Sequence, residues 1–236
     1  MVQGNEILRR TLDRKDALLI CEGNALQTDF LLLHAGGETR QVWRPVMRHL
    51  LEAGFTSTAY DQRGHGESTG STGDGIEAFG RDTAAMIQTH RPALVVGASL
   101  GAYAALLALH GMRAKQEVRG LVLVDVVPAP NRCKVRRFLA AQAPQLSQSP
   151  LVDDILNRAR QMTDAARSLT LPITLVRAGP SGPVTDDEVE KFQASCPQVQ
   201  LRRVHDAGHL IARDAPQALA KVLTGFAHDL GISRKG

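Results

Sequence analysis

Cysteine is scarce: Cys21, Cys133 and Cys196 are the only three in 236 residues. They are odd in number, far apart and without metal-like spacing, which argues against a disulfide framework or a zinc site and for a reducing, cytoplasmic setting. No apolar stretch approaches the length of a membrane span, and Met1-Val2-Gln3-Gly4-Asn5-Glu6 lacks the charged-then-apolar pattern of a signal peptide. Charge of one sign is also in short supply. The net charge is only +4, and no basic run is dense or interleaved with aromatics, so neither nucleic acid nor a membrane is an expected partner. Aromatic residues make up 4% of the chain, and internal repeats are absent.

What the chain does have is an apolar fraction of 43% with 22% charged residues, enough for one domain over residues 1–236 with a sizeable core. Short apolar runs alternate with longer helical patterns, the signature of a mostly parallel sheet covered by helices. Strands are expected at Glu6–Leu12, Ala17–Glu22, Phe30–His34, Phe55–Tyr60, Ala93–Gly97, Val118–Val126, Ile173–Ala178 and Val199–Val204. The first two have no helix between them and should pair antiparallel. Helices are expected at Arg40–Ala53, Gly75–His90, Leu100–Gly111, Val152–Arg167, Thr185–Ser195 and Ala215–Leu230. Gly54 and Gly111 stand where helix C-caps belong, and Thr185-Asp186-Asp187-Glu188 reads as a capping box. The irregular stretch is Val127–Thr170, rich in Pro and Gln and carrying Arg132, Lys134, Arg136 and Arg137. The basic cluster has two readings, a contact for an anionic substrate and, more ordinarily, a solvated face. Phe138 is the only aromatic there, too little to line a bulky aromatic ligand site.

The chemistry centres on Gly97-Ala98-Ser99-Leu100-Gly101, between an apolar run and a helix-forming run. A strand-turn-helix elbow holds its central residue in a tight backbone and presents the hydroxyl at a helix N-terminus, where unpaired N–H groups stabilise an oxyanion. Ser99 is therefore read as a nucleophile. Three further blocks accompany the elbow: Leu33-His34-Ala35-Gly36-Gly37, Asp61-Gln62-Arg63-Gly64-His65-Gly66-Glu67-Ser68, and Asp206-Ala207-Gly208-His209.

Together, in this order and at these strand ends, the four blocks resemble the α/β-hydrolase family. The resemblance covers nearly the whole chain from Phe30 onward. It implies an eight-stranded, mostly parallel sheet with helices on both faces and a short helical lid, residues 127–170, after strand six. It also implies the chain order Ser, acid, His, which makes His209 the general base. The remaining histidines are worse placed: His49, His90, His110 and His228 fall in or at the ends of helices, His205 ends a strand, and His34 and His65 belong to turns.

The acid departs from the family pattern. The loop after strand seven reads Gly179-Pro180-Ser181-Gly182-Pro183, with glycine where the family usually has a carboxylate. Asp125, at the end of the sixth strand, is the favoured replacement; Asp186, Asp187 and Asp206 stay open. Asp186 and Asp187 already have a structural use, complementing a helix dipole. The resemblance further implies an oxyanion hole from the N–H groups of Leu100 and Gly36, with Ala35 replacing a usual glycine. Asp61, His65 and His34 are read as structural, and Trp43 as core in preference to a substrate-stacking residue.

The expected activity is hydrolysis of a carboxylic ester, thioester or lactone through an acyl-serine, with a small-molecule acyl substrate and no metal or organic cofactor. A serine at the elbow disfavours the alkyl transfer that relatives with an elbow aspartate perform. Two alternatives remain: a non-hydrolytic ligand-binding protein, and C–C cleavage, lysis or perhydrolysis at the same serine.

Overall fold

The computed structural model describes residues 7–112, 118–180 and 182–232. The expected start of the first strand at Glu6, and the N-terminal residues before it, lie outside these. The strands are β1 (Leu8–Arg14), β2 (Ala17–Gly23), β3 (Phe30–Leu33), β4 (Ser57–Tyr60), β5 (Leu94–Ala98), β6 (Gly120–Val124), β7 (Ile173–Arg177) and β8 (Val199–Arg203). They form one sheet in the order β1-β2-β4-β3-β5-β6-β7-β8. β1 and β2 pair antiparallel as expected; β2 also runs antiparallel to β4, and every pairing from β3 to β8 is parallel.

The central strands are buried on both sides, which explains their nearly continuous apolar sequence. Alternation assigns their side chains to two cores. Leu31, Leu33, Val95, Leu121 and Leu123 face one, packed under α2 (Ile76–His90), α3 (Leu100–Gly111), α7 (Ala159–Ser168) and α8 (Asp186–Ser195). Phe30, Leu32, Leu94, Val96, Val122 and Val124 face the other, under α1 (Arg44–Glu52), α9 (Ile211–Asp214) and α10 (Pro216–Asp229). Trp43 is fully buried in this second core. β1, by contrast, is largely exposed and carries Arg9, Arg10 and Arg14, charges that discourage pairing with another chain at the sheet edge.

Several helices differ from expectation. The expected Arg40–Ala53 helix is a 3₁₀ turn at Arg40–Trp43 followed by α1, because Pro45 has no N–H to continue a ladder and suits the first turn of a new helix. Gly54 does take the positive φ that follows a helix, +85°, but Gly111 is still helical and Met112 leaves the helix through an extended backbone. The expected Val152–Arg167 helix is two, α6 (Pro150–Asn157) and α7, parted at Arg158. There the guanidinium is held by Asp154 and by Glu77 of α2, both at 2.6 Å. Ahead of them lie α4 (Arg132–Gln142) and α5 (Pro144–Ser147), where no regular structure was expected. α4 has no buried residue, and its short stripe Val135, Phe138 and Leu139 faces the open cavity, set among the charges of Arg132, Lys134, Arg136 and Arg137. The capping box of α8 is present, with the Thr185 N–H donating to Glu188 at 2.9 Å.

The turn after β4 is built on buried charge. Arg63 is 1% exposed and donates to both carboxylate oxygens of buried Asp82, at 2.8 and 2.9 Å, and to Asp74 at 2.7 Å. Arg40 similarly joins Asp61, Glu22 and Glu67. Removing one partner of such a group leaves the other charge desolvated. Arg63→Leu should therefore lower the unfolding free energy by about 3 kcal/mol in a urea titration; a loss under about 0.5 kcal/mol would contradict this account of the turn.

Candidate active site

Ser99 stands between β5 and α3 with φ +46° and ψ −109°, a backbone that side-chain-bearing residues rarely adopt and that costs on the order of 1–3 kcal/mol. The strain persists because both arms are clamped. A Cβ at Gly97 would lie 2.5 Å from the Ala102 backbone, and one at Gly101 would lie 2.5 Å from the Leu33 Cβ. Only glycine permits these approaches, which bring α3 down onto the end of β3.

Asp125 follows β6 at φ +50° and is fully buried. Its N–H donates to the Val176 carbonyl at 2.7 Å, and its Oδ1 accepts from the Ala178 N–H at 2.9 Å, so neighbouring β7 holds both backbone and side chain. Its Oδ2 accepts from His209 Nδ1, also at 2.9 Å. Donation from Nδ1 leaves Nε2 of a neutral ring as the acceptor. The imidazole is further held by the edge of Phe138, 5.0 Å away between ring centres.

The structure thus brings Asp125 and His209 together and leaves the other carboxylates elsewhere. Asp186 pairs with Arg177 and with Arg203, Asp187 pairs with Lys191 at 2.8 Å, and Asp206 is exposed. The arginines beside Asp186 hold its carboxyl below the usual range. Gly182 shows why the loop after β7 lacks a side chain: a Cβ there would come within 2.8 Å of Asp125 Oδ2. Ser181 lies outside the described residues.

Leu100 is the first residue of α3, where N–H groups have no intrahelical acceptor. Gly36, after β3, lies against it; a Cβ at Gly36 would be 3.9 Å from that of Leu100. His34 ties this loop to the turn after β4: its Nδ1 donates to the Ala35 carbonyl at 2.8 Å, and its Nε2 accepts from the Gln62 N–H at 3.0 Å. Burial pushes its pKa down to about 4, so the ring is neutral, as both hydrogen bonds require. Asp61 is buried against Arg40, in keeping with a structural role.

Ser99, His209, Asp125, Leu100 and Gly36 all line one cavity of about 440 Å³. Val127, Leu139, Leu146, Ile155 and Leu156 make much of it apolar. None of Arg132, Lys134, Arg136 or Arg137 reaches it; Arg132 instead donates to Asn157, and Arg136 to Asp153. A larger open groove of about 930 Å³ along α2 and α3 holds none of the expected site residues. Among the described residues no group of three or more His, Cys, Asp or Glu side chains is arranged to hold a metal ion, and no helix is long and apolar enough to cross a membrane.

Three contributions to the site escaped the sequence. Asp214 accepts the Gly208 N–H at 3.1 Å and so anchors the chain beside His209; no motif marks that pairing. Glu38 is partly buried near His209 and Arg213, and burial pushes its carboxyl up. His65, expected to serve only its turn, lines the cavity.

Residues 26–149 match the family model described as serine aminopeptidase, S33. The esterase Rv0045c of Mycobacterium tuberculosis is 27% identical over an alignment of 248 positions that covers 83% of this chain and 81% of that protein. A solved structure of that esterase has a TM-score of 0.72 at 22% identity, covering 96% of this chain and 94% of the other. The structure of E-2-(acetamidomethylene)succinate hydrolase has a TM-score of 0.74 at 22% identity, covering 94% of this chain and all 100% of the other. A thioesterase domain from the curacin biosynthetic pathway has a TM-score of 0.73 at 19% identity, with coverages of 93% and 100%. At these identities the superpositions establish the fold.

The contact at Gly182 yields a structural test. Gly182→Ala must displace the Asp125 carboxylate and break its bond to His209, so the His209 Nδ1 proton should exchange with solvent much faster in NMR spectra of the variant. Unchanged exchange would mean that the space at Gly182 has no bearing on Asp125.

Proposed function

The chain belongs to the serine aminopeptidase, S33, family and has the α/β-hydrolase fold; from that premise we propose that it is a serine hydrolase of carboxylic esters, thioesters or lactones. The observation that carries this reading is the 2.9 Å hydrogen bond from His209 to Asp125 in the cavity that also holds the Ser99 elbow.

In this mechanism Ser99 Oγ attacks the substrate carbonyl while His209 Nε2 takes its proton. Asp125 keeps the imidazole in the required tautomer and stabilises the imidazolium that forms. The negative oxygen of the tetrahedral intermediate is held by the N–H groups of Leu100 and Gly36. His209 then protonates the leaving alcohol or thiol, giving an acyl-Ser99. A water, deprotonated by the same nitrogen, attacks the acyl carbon; collapse returns the proton to Ser99 and releases the acid. Residues 127–170 act as the cap over the acyl group, because α4, α5 and α6 supply apolar walls of the cavity.

The alternative of a binding-only protein arose from the missing carboxylate at Gly182. The hydrogen bond between Asp125 and His209 favours the hydrolase instead, since it is what a general base needs and a binding pocket does not. The three unpaired cysteines support a cytoplasmic setting.

Two measurements test the assignment. A fluorophosphonate probe should label the protein rapidly and fail to label Ser99→Ala; no labelling of folded wild type would refute a serine hydrolase. On a short-chain p-nitrophenyl ester, Asp125→Asn should lower kcat by about 10³- to 10⁴-fold, while Asp186→Asn and Asp187→Asn stay within about twofold because neither side chain approaches His209. The reverse ranking would remove Asp125 from the mechanism.

A further inference from the structure

Several polar side chains that line the cavity have no part in the chemistry above, among them His65, Thr72, Gln142, Ser149 and Arg213. His65 and Thr72 both come from the segment between β4 and α2, and both line the cavity that holds Ser99. His65 Nδ1 lies 3.0 Å from the Arg63 carbonyl oxygen. A carbonyl only accepts, so Nδ1 carries the proton, and Nε2 of the neutral ring is an acceptor. No described residue bonds that nitrogen. The ring itself is held in place, tilted against His34 at 5.1 Å and edge-on to Phe79 at 6.2 Å between centres.

The backbone beneath is equally constrained. The His65 N–H donates to the Gln62 carbonyl at 3.0 Å, and the Glu67 N–H donates to Asp61 at 3.0 Å. Thr72 opens a short 3₁₀ turn, Thr72–Asp74, capped by Ser71 and tied through Asp74 to buried Arg63. α6, whose Leu151, Ile155 and Leu156 line the cavity, packs against that turn, and Asp154 accepts the Ile76 N–H at 2.9 Å. The His65 ring and the backbone that carries Thr72 are therefore held in place in the cavity wall.

A saturated alkyl chain lying over this wall would cover an acceptor nitrogen without satisfying it, an unfavourable exchange for the water it displaces. A carbonyl only accepts and has no proton to offer Nε2 of the neutral ring. A hydroxyl can do both, donating to Nε2 and accepting from a donor such as the Thr72 hydroxyl on the same side of the cavity. Building on the hydrolase reading, we propose that His65 and Thr72 form a specificity subsite for a hydroxyl group on the substrate, so that the natural ester is hydroxylated. The hydroxyl can belong to the acyl part, as in a hydroxyalkanoate ester, or to the alcohol part, as in a polyol ester.

Matched ester pairs, each hydroxyl compared with its methyl isostere, test the subsite and tell the two sources apart. One series carries the hydroxyl at successive acyl carbons, for example ethyl 3-hydroxybutanoate against ethyl 3-methylbutanoate. The other carries it on the alcohol, as 2-hydroxyethyl butanoate against propyl butanoate. In one series kcat/KM should favour the hydroxylated member by about tenfold, the value of one net hydrogen bond. His65→Leu should bring that ratio close to one and Thr72→Val should reduce it at least about threefold; Thr72 lies on an exposed turn and serves alone if His65→Leu does not fold. A ratio below about threefold in both series, or one that survives the substitutions, overturns the subsite. That result would leave ester turnover itself intact, whereas a failure of the hydrolase reading would show as no turnover of any ester and no fluorophosphonate labelling of Ser99.

Discussion

Buried Asp125 ties the end of β6 to β7 and to the loop after β8. Oδ1 accepts from the backbone after β7, Oδ2 accepts from His209 after β8, and the Asp125 N–H donates back to β7. A fully buried carboxylate is costly unless its oxygens find donors, and these do. Around it the sequence has little freedom. The residue at 182 must have no side chain, because the carboxylate occupies that space, and the chain after β6 must turn through a positive φ to deliver it. The departure from the usual family pattern at Gly182 and the presence of Asp125 are thus one feature seen from two strands.

The same logic operates at Ser99, where a strained backbone is kept by close packing. β5, α3 and the end of β3 approach so closely at Gly97 and Gly101 that no other turn is available. Neighbouring Gly36 and the neutral His34 bridge then set the loop opposite the start of α3. In the proposed mechanism these parts share one purpose: donors and acceptor are aimed before substrate arrives, so little reorganisation is left for the reaction step.

The sheet was legible because its central parallel, doubly buried strands write themselves as apolar runs; all eight strands were expected, with ends displaced by at most two residues. The capping box of α8 was legible for a local reason, the short reach from Thr185 to Glu188. Helices whose apolar face is short and unburied were not. α4 buries nothing, and the break between α6 and α7 depends on Arg158 finding Glu77 across the fold, a contact no local pattern encodes. At the site, the sequence proposed Asp125 and left other carboxylates open; a distance between β6 and the loop after β8 was needed to separate them. Asp214 had no signal at all, and His65 was hidden by a motif whose other members are structural.

The central claim is that Ser99, His209 and Asp125 act as one unit with the N–H groups of Leu100 and Gly36. A crystal structure of the covalent phosphonate adduct tests it most directly. Phosphorus should be bonded to Ser99 Oγ, with its oxygen about 2.7–3.1 Å from both N–H groups and His209 Nδ1 still bonded to Asp125. An adduct with its oxygen turned away from Leu100 and Gly36, or an imidazole bonded to a different carboxylate, would contradict it.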